Sequence, residues 1–235
     1  LTGFSLQTNR SDFANVHSRV KNYLTRSEDA GKIWAVAVDE PGDAQAALRP
    51  DSNPGNAQVD ARKNALWGTL LAGGGANEWY FGYGFENSDL TLQDFRSRDQ
   101  WWDTARHALE FFETSEIPFW EMFNQNEISS ASHDYGFIKP GESYVVYQKQ
   151  GGTTDLDLDG TSGDFSVQWY DPRNGGDLQS GTVANVSGGS WVNLGFAPQQ
   201  TNQDWVILVT ATDANAATSA AQAWLLPDPT AQTED

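Results

Sequence analysis

The hydrophobic rhythm of this chain changes once, near residue 133, and that change limits the available folds more than any other feature. Before it, apolar runs alternate with stretches of helical period. LTGFSLQT reads as a strand, and DFANVHSRVKNYLTR as a helix with Phe13, Val16, Val20 and Leu24 near helical spacing. Asn9, Ser11 or Asp12 is placed to cap that helix, and Gly31 to end the connection. KIWAVAV follows, an unbroken apolar run typical of a parallel strand covered on both faces. A Pro- and Gly-bearing loop, PGDAQAALRPDSNPGNA, leads to the helix VDARKNALWGTLLA, closed by Gly73-Gly74-Gly75. ANEWYFGYG reads as a third strand. LQDFRSRDQWWDTARHALEFFET reads as a third helix, with Phe95, Trp102, Ala105, Leu109 and Phe112 roughly on one side. The order βαβαβα predicts a parallel sheet with right-handed crossovers. Such a sheet belongs either to an open doubly wound fold or to the last three units of an eightfold barrel.

After residue 133 the helical period is gone. DYGFIK, SYVVYQK, TDLDLD, FSVQWYD, SWVNLGF and DWVILVTA are short strand patterns separated by Gly, Pro, Asn and Asp. They predict an antiparallel sandwich or barrel over 133–212. Residues 116–132 join this part to the α/β part over 1–115, and Ile117, Phe119, Trp120, Met122 and Phe123 make them a packed connector. Residues 213–235 form a tail in which AWLLPDP is placed to dock and PTAQTED to move freely.

At 235 residues the chain has room for one large domain or two modest ones. Its hydrophobic share is only 38%, yet ten Trp, twelve Phe and seven Tyr supply bulky core material, so the chain folds. Its net charge of −18 argues against nucleic acid and against an anionic membrane, both of which would repel it. It favours a neutral substrate and a salty medium. Without cysteine there are no disulfides and no thiolate metal sites. No apolar run approaches the roughly 18 residues of a membrane span. With neither an initiator Met nor a signal peptide, the chain reads as processed or as a fragment whose beginning lies elsewhere.

The chemistry concentrates where the second strand ends on Asp39 and Glu40, just before Pro41-Gly42. Two acids there are either a catalytic carboxylate with its neighbour or an ordinary solvated strand end. Strand alternation lets only one of them face a given side. Glu78 precedes Trp79-Tyr80 on the next strand, so it could lie close to Glu40 and tune its pKa; a structural ion pair is the alternative. Trp79, Tyr80, Phe81 and Tyr83 crowd one segment: Trp79 and Tyr83 suit stacking on a ligand ring or packing in the core equally, and Phe81 suits core. Arg96, Arg98 and Asp99 read as a salt-bridge cluster, with an anion or uronate contact as the sharper alternative. His17 and His107 fall on helices as surface or packing residues, and His133 has no evident partner. Asp155, Asp157, Asp159 and Gly160 imitate the start of a calcium loop. Ser166 occupies the position of the required bidentate acid, and Leu156 and Leu158 alternate with the acids as in a strand with one wet face. No phosphate-binding loop, dinucleotide fingerprint, His-rich metal motif or Gly-x-Ser-x-Gly elbow is present, so no cofactor or metal is expected.

DYGFIKPGESYVVYQKQGGTTDLDLDGTSGDFSVQWYDPRNGG resembles the small β-domain family known as the putative collagen-binding domain. The resemblance rests on Tyr-Val-Val-Tyr, the Gly-Gly turn, the alternating Leu strand and Trp169-Tyr170-Asp171-Pro172-Arg173. In bacteria this module commonly follows a (β/α)8 glycoside hydrolase domain of the apiosidase-like kind. WAVAVDEPG then resembles barrel strand seven, ALWGTLLAGGGANEWYFGYG helix seven with strand eight, LQDFRSRDQWWDTARHALEFF helix eight and LTGFSLQT strand six. The resemblance implies α/β plus all-β architecture: the C-terminal part of a TIM barrel, about strands 6–8, followed by an antiparallel β-sandwich. It implies a secreted or periplasmic enzyme acting on a carbohydrate, with Glu40 as the nucleophile. Glu78, Trp79, Tyr83 and Asp39 would contact substrate. The general acid of this clan sits at the end of strand four, which these residues do not contain. The missing strands would come from a second chain, or a homo-oligomer would seal two partial barrels. Two other classes stay open: a non-catalytic carbohydrate- or matrix-binding sandwich, and a small α/β protein completed by a partner.

Overall fold

The computed structural model describes residues 2–91 and 93–212; the expected docking of AWLLPDP and the mobile end lie outside them. Strands β1 (Gly3–Gln7), β2 (Ala35–Glu40) and β3 (Ala76–Asn77) form a parallel sheet in that order. Helix α1 (Val16–Asp29) connects the first pair. Asn15 stands at its N-cap without a side-chain bond, so none of the three expected caps serves. Asp12 instead accepts from Ala14 N at 3.1 Å and pairs with Arg10. The second crossover runs continuously through α2 (Gln58–Asp60), a π-helical stretch (Ala61–Leu66) and α3 (Trp67–Leu70).

The third strand is much shorter than ANEWYFGYG predicts. Beyond Glu78 the backbone turns to loop partners: Phe81 N donates to Asp89 Oδ2 at 2.7 Å, and Tyr83 N and Gly84 N donate to Gln45 O. Gly82 has a φ of 72°, and a Cβ there would sit 2.6 Å from Gln45 O. The third helix begins late. A 3-10 turn (Phe95–Arg98) precedes α4 (Asp99–Thr114), which buries Trp101, Thr104, His107, Ala108 and Phe111. The residues that the sequence groups on one side form the neighbouring stripe: Ala105 and Phe112 are half-buried against the core, whereas Phe95, Trp102 and Leu109 are exposed. Helix α4 is therefore apolar along two sides.

The remaining strands are antiparallel. Six of them, β4 (Phe123–Asn124), β5 (Tyr135–Lys139), β6 (Ser143–Gln148), β8 (Asp164–Tyr170), β9 (Asn185–Ser187) and β11 (Trp205–Ala211), form a sheet ordered β4-β5-β6-β11-β8-β9. β7 (Asp155–Asp157) and β10 (Trp191–Asn193) pair in a second layer. The connector thus supplies an edge strand, β4, which with β9 escapes the sequence patterns. Leu156 and Leu158 are buried beside solvated aspartates, as the alternation in TDLDLD predicts.

The six-stranded sheet is covered on both faces, which explains the unbroken apolar runs in β6 and β11. One face packs Ile138, Tyr144, Val146, Val167, Trp169, Ile207 and Val209 against Leu156, Leu158 and Leu194. The other face places Val145, Tyr147, Tyr170, Val206 and Leu208 in one core with Leu6, Val36, Val38, Trp67, Trp101 and Phe111. Trp67 lies nearly parallel to Tyr147, with centroids 5.3 Å apart. Tyr170 Oη donates to His107 O at 2.7 Å.

Two polar contacts pin this seam. Arg62 Nε and Nη2 each donate to the Asp204 carboxylate at 2.9 Å, and Tyr147 Oη donates to Asp204 at 2.6 Å. Burial alone would raise the Asp204 carboxyl, but the bonds and charge of Arg62 hold it below its usual value. His17, buried in α1, stacks on Tyr135 and places Nδ1 2.7 Å from Gly68 O. Its Nε2 accepts from Asn126 Nδ2 at 2.9 Å, which assigns the neutral Nδ1–H tautomer. Burial brings His17 down to about 4.

Replacing Arg62 with Met leaves the buried Asp204 carboxylate with only Lys63, 3.7 Å away, and the Tyr147 hydroxyl, and is expected to cost about 3 kcal/mol. Adding Asp204→Asn should recover part of that loss, and urea unfolding of the three proteins checks both. His17 stays neutral in the fold while the unfolded chain takes up a proton, so stability falls as pH drops from about 6.5 toward 4. The loss should approach about 3 kcal/mol, and His17→Gln should flatten that limb in urea titrations at successive pH values.

Candidate active site

Asp39 and Glu40 end β2 at the C-terminal edge of the parallel sheet. Phe4, Leu6, Val36 and Val38 point into the shared core. Gly3, Ser5, Gln7 and Ala35 are exposed on the opposite, open face, with Ala37 and Asp39 half-buried there. Strict alternation would send Glu40 to the core side. The register shifts at this point instead: Leu6 faces Val38 but Gln7 faces Glu40, so β2 carries one extra residue. Ser5 Oγ donates to Asp39 Oδ2, and Gln7 Nε2 donates to Glu40 Oε2 at 2.7 Å. Ser5 and Gln7 are two residues apart and share the open face, so both carboxylates are held toward it. The expectation that only one could face a given side is corrected by this bulge.

The turn after the acids is tightly built. Thr8 N donates to Glu40 O at 3.0 Å, and Gly42 N donates to Thr8 Oγ1 at 2.9 Å. Gly42 has a φ of 91°, and a Cβ there would lie 2.5 Å from the Phe13 ring. The other oxygen of Asp39, Oδ1, is buried and has no hydrogen-bond partner among the described residues.

The following segment brings its residues near by unequal degrees. Glu78 N donates to Val38 O at 2.7 Å, which fixes Glu78 beside the end of β2 with an exposed side chain. Trp79 does not present its ring to the open face: its indole packs 3.5 Å from the buried Trp101 ring and near Phe13. Phe81 is buried, as expected, whereas Tyr83 is 52% exposed. Tyr80, to which the sequence assigned no particular role, donates its hydroxyl to Ala44 O at 3.0 Å. Burial raises its phenol, and the Glu40 and Asp89 carboxylates push it in the same direction. Glu40 and Tyr80 therefore share one electrostatic neighbourhood.

Arg98 holds the loops around these groups. Its side chain is fully buried; Nε donates to Leu48 O at 3.0 Å, and Nη1 to Glu86 O and Asn87 O at 2.9 and 3.0 Å. The guanidinium lies 4.7 Å over the Phe81 ring. The expected salt-bridge cluster is thus divided: Arg96 pairs with Asp94, while Arg98 binds backbone carbonyls. Asp51 also ties two elements, accepting from Gln58 Nε2 at 2.9 Å and Gln100 N at 3.0 Å. His107 is buried, and His133 Nε2 lies 3.5 Å from Asp134, a partner that sequence did not disclose. No apolar periodicity marks Arg98 or Asp51; Arg98 shows only as a basic residue just ahead of a helix, and Asp51 has no signal.

Residues 118–210 match the family model described as "Putative collagen-binding domain of a collagenase". The matched span begins within the connector, where β4 lies. No curated protein sequence matches the chain significantly. Among solved structures, one described as a glycoside hydrolase is similar with a TM-score of 0.64 at 14% identity, over 90% of this chain and 53% of its own. A glycoside hydrolase family 5 protein from Bacteroides vulgatus ATCC 8482 is similar with a TM-score of 0.64 at 16% identity, over 97% and 54%. The chain thus has a glycoside-hydrolase-related fold and spans about half the length of these two structures.

Arg98→Met removes the donors that join the two loops while keeping much of the buried volume. It should speed amide exchange across 43–50 and 81–90 by tenfold or more, with little change in β6 and β11, as read by hydrogen exchange with mass spectrometry.

Proposed function

We propose that this chain carries part of the catalytic unit of a glycoside hydrolase. In this reading 1–115 supply about strands six to eight of a (β/α)8 barrel, 116–132 the packed connector, and 133–212 an accessory sandwich. The observation that carries it is the bulge that turns Asp39 and Glu40 toward the open face at the C-terminal edge of the strands, where barrel active sites lie. Three features support continuation of the sheet. Its open face is lined by small residues, Gly3, Ser5, Ala35, Ala37 and Ala76; β1 and β3 each leave an edge unpaired among the described residues; and α4 keeps a second apolar stripe exposed. The completing strands come from a longer chain, from a second chain, or from a homo-oligomer.

Glu40 is the nucleophile. The Gln7 amide holds one of its oxygens and aims the other at the anomeric carbon. A retaining mechanism places the acid that protonates the leaving oxygen about 5 Å away, and the completing strands supply it. Asp39, held beside Glu40 by Ser5, and exposed Glu78 are placed for sugar hydroxyls. Tyr83, exposed, offers a ring face to the sugar, while Trp79 packs on Trp101 in the core. The enzyme is of the apiosidase-like kind and its substrate an oligosaccharide or polysaccharide, which suits a secreted or periplasmic location because polymers do not cross membranes.

In the complete enzyme, Glu40→Gln should lower turnover at least about a thousandfold while retaining substrate binding. Unchanged hydrolysis would overturn the assignment and leave a binding module. Light scattering of the 235-residue chain should show self-association; a stable monomer would count against completion by a homo-oligomer.

A further inference from the structure

The two layers of the sandwich do not close at the β4 edge, and a groove of about 160 Å³ opens between them. Register places Phe123 opposite Ile138 and Ile138 opposite Tyr144, a cross-strand row over β4, β5 and β6. Ile138 and Tyr144 are buried and form the floor, whereas Phe123 is 42% exposed and forms a wall. Neighbouring strands about 4.8 Å apart make this row roughly 10 Å long. The facing rim comes from β7 and its turn, with Asp157, Asp159 and Thr161, and Glu127 also lines the opening.

The charge of this opening is one-sided. None of Glu127, Asp157 and Asp159 forms a salt bridge among the described residues. Lys139, next to Ile138 on β5, is engaged elsewhere, pairing with Glu121 at 2.7 Å and Glu142 at 2.6 Å. The groove therefore offers an apolar wall, the Gln125 amide, and carboxylates without a cation, although Asp157 and Asp159 each give one oxygen to a backbone N–H and the Thr161 hydroxyl donates to Leu158 O. It is small beside the roughly 300–1,000 Å³ of drug-sized sites, which suits one ring.

We infer that this groove binds a saccharide unit bearing a free ammonium group, its ring face on Phe123 and its ammonium among Glu127, Asp157 and Asp159. A neutral sugar would use the wall and leave the carboxylates uncompensated; an acidic sugar would be repelled. A lysine side chain satisfies the charge but leaves the flat wall and the amide unused. The inference rests on the sandwich and not on the Glu40 chemistry.

Isothermal titration with the tetramer of glucosamine tests it, with the fully N-acetylated tetramer and tetralysine as comparison probes. Wild type should bind the free-amine tetramer at least tenfold more tightly than the acetylated one, and binding should weaken with salt. Phe123→Ala and Glu127→Gln, both at exposed positions and checked for folding by circular dichroism, should each weaken binding at least fivefold. Absence of binding, equal affinity in the variants, or tetralysine binding as tightly would overturn the inference. No turnover is measured, so its failure is separate from failure of the hydrolase reading.

Discussion

The contact between Arg62 and Asp204 is the constraint on which the rest of this molecule turns. It joins residues 142 positions apart, from a π-helical stretch in the α/β part to the residue before β11. Two charges out of water are tolerable only with close geometry and full hydrogen bonding. The paired 2.9 Å bonds and the Tyr147 hydroxyl supply both. Around this pair the chain builds one apolar core from two architectures, with Trp67 lying flat on Tyr147. The crossover helix is thereby fixed to the six-stranded sheet, and through it the parallel strands whose ends hold Asp39 and Glu40.

Much of this arrangement was legible in hydrophobic rhythm. β5, β6 and β11 fall within their apolar runs because a strand buried on both faces has no other composition; β8 alternates, and β2, read as covered on both faces, buries only one and runs on through Asp39 and Glu40. The failures have particular causes. ANEWYFGYG has the residues of a strand, but its backbone donors are claimed by Asp89 and Gln45. α4 has two usable apolar stripes, and periodicity alone does not say which meets the core. Trp79 looked equally fit for sugar or core until Trp101 appeared against it.

The candidate site was half legible. A strand ending on two acids marks the place, but alternation predicts the wrong orientation, because a single inserted residue leaves no compositional trace. Ser5 and Gln7, which hold the two carboxylates, carry no signal without the register. Arg98 is similar: as a charge near a helix start it suggests a surface pair, whereas its bonds go to three carbonyls of two loops. Long polar side chains that serve backbone groups are recognisable only when the loops they join are known.

The doubled apolar character of α4 has a colloidal consequence. Trp102 and Leu109 give the surface a sticky strip, while a net charge of −18 keeps neighbouring molecules apart. The balance between them is set by dissolved ions. In dilute buffer the long-range repulsion dominates; at high ionic strength the repulsion shortens to a few ångströms and the greasy strips can meet. For this chain, the salty medium that its acidity suits is thus tolerated only while the strip on α4 is covered.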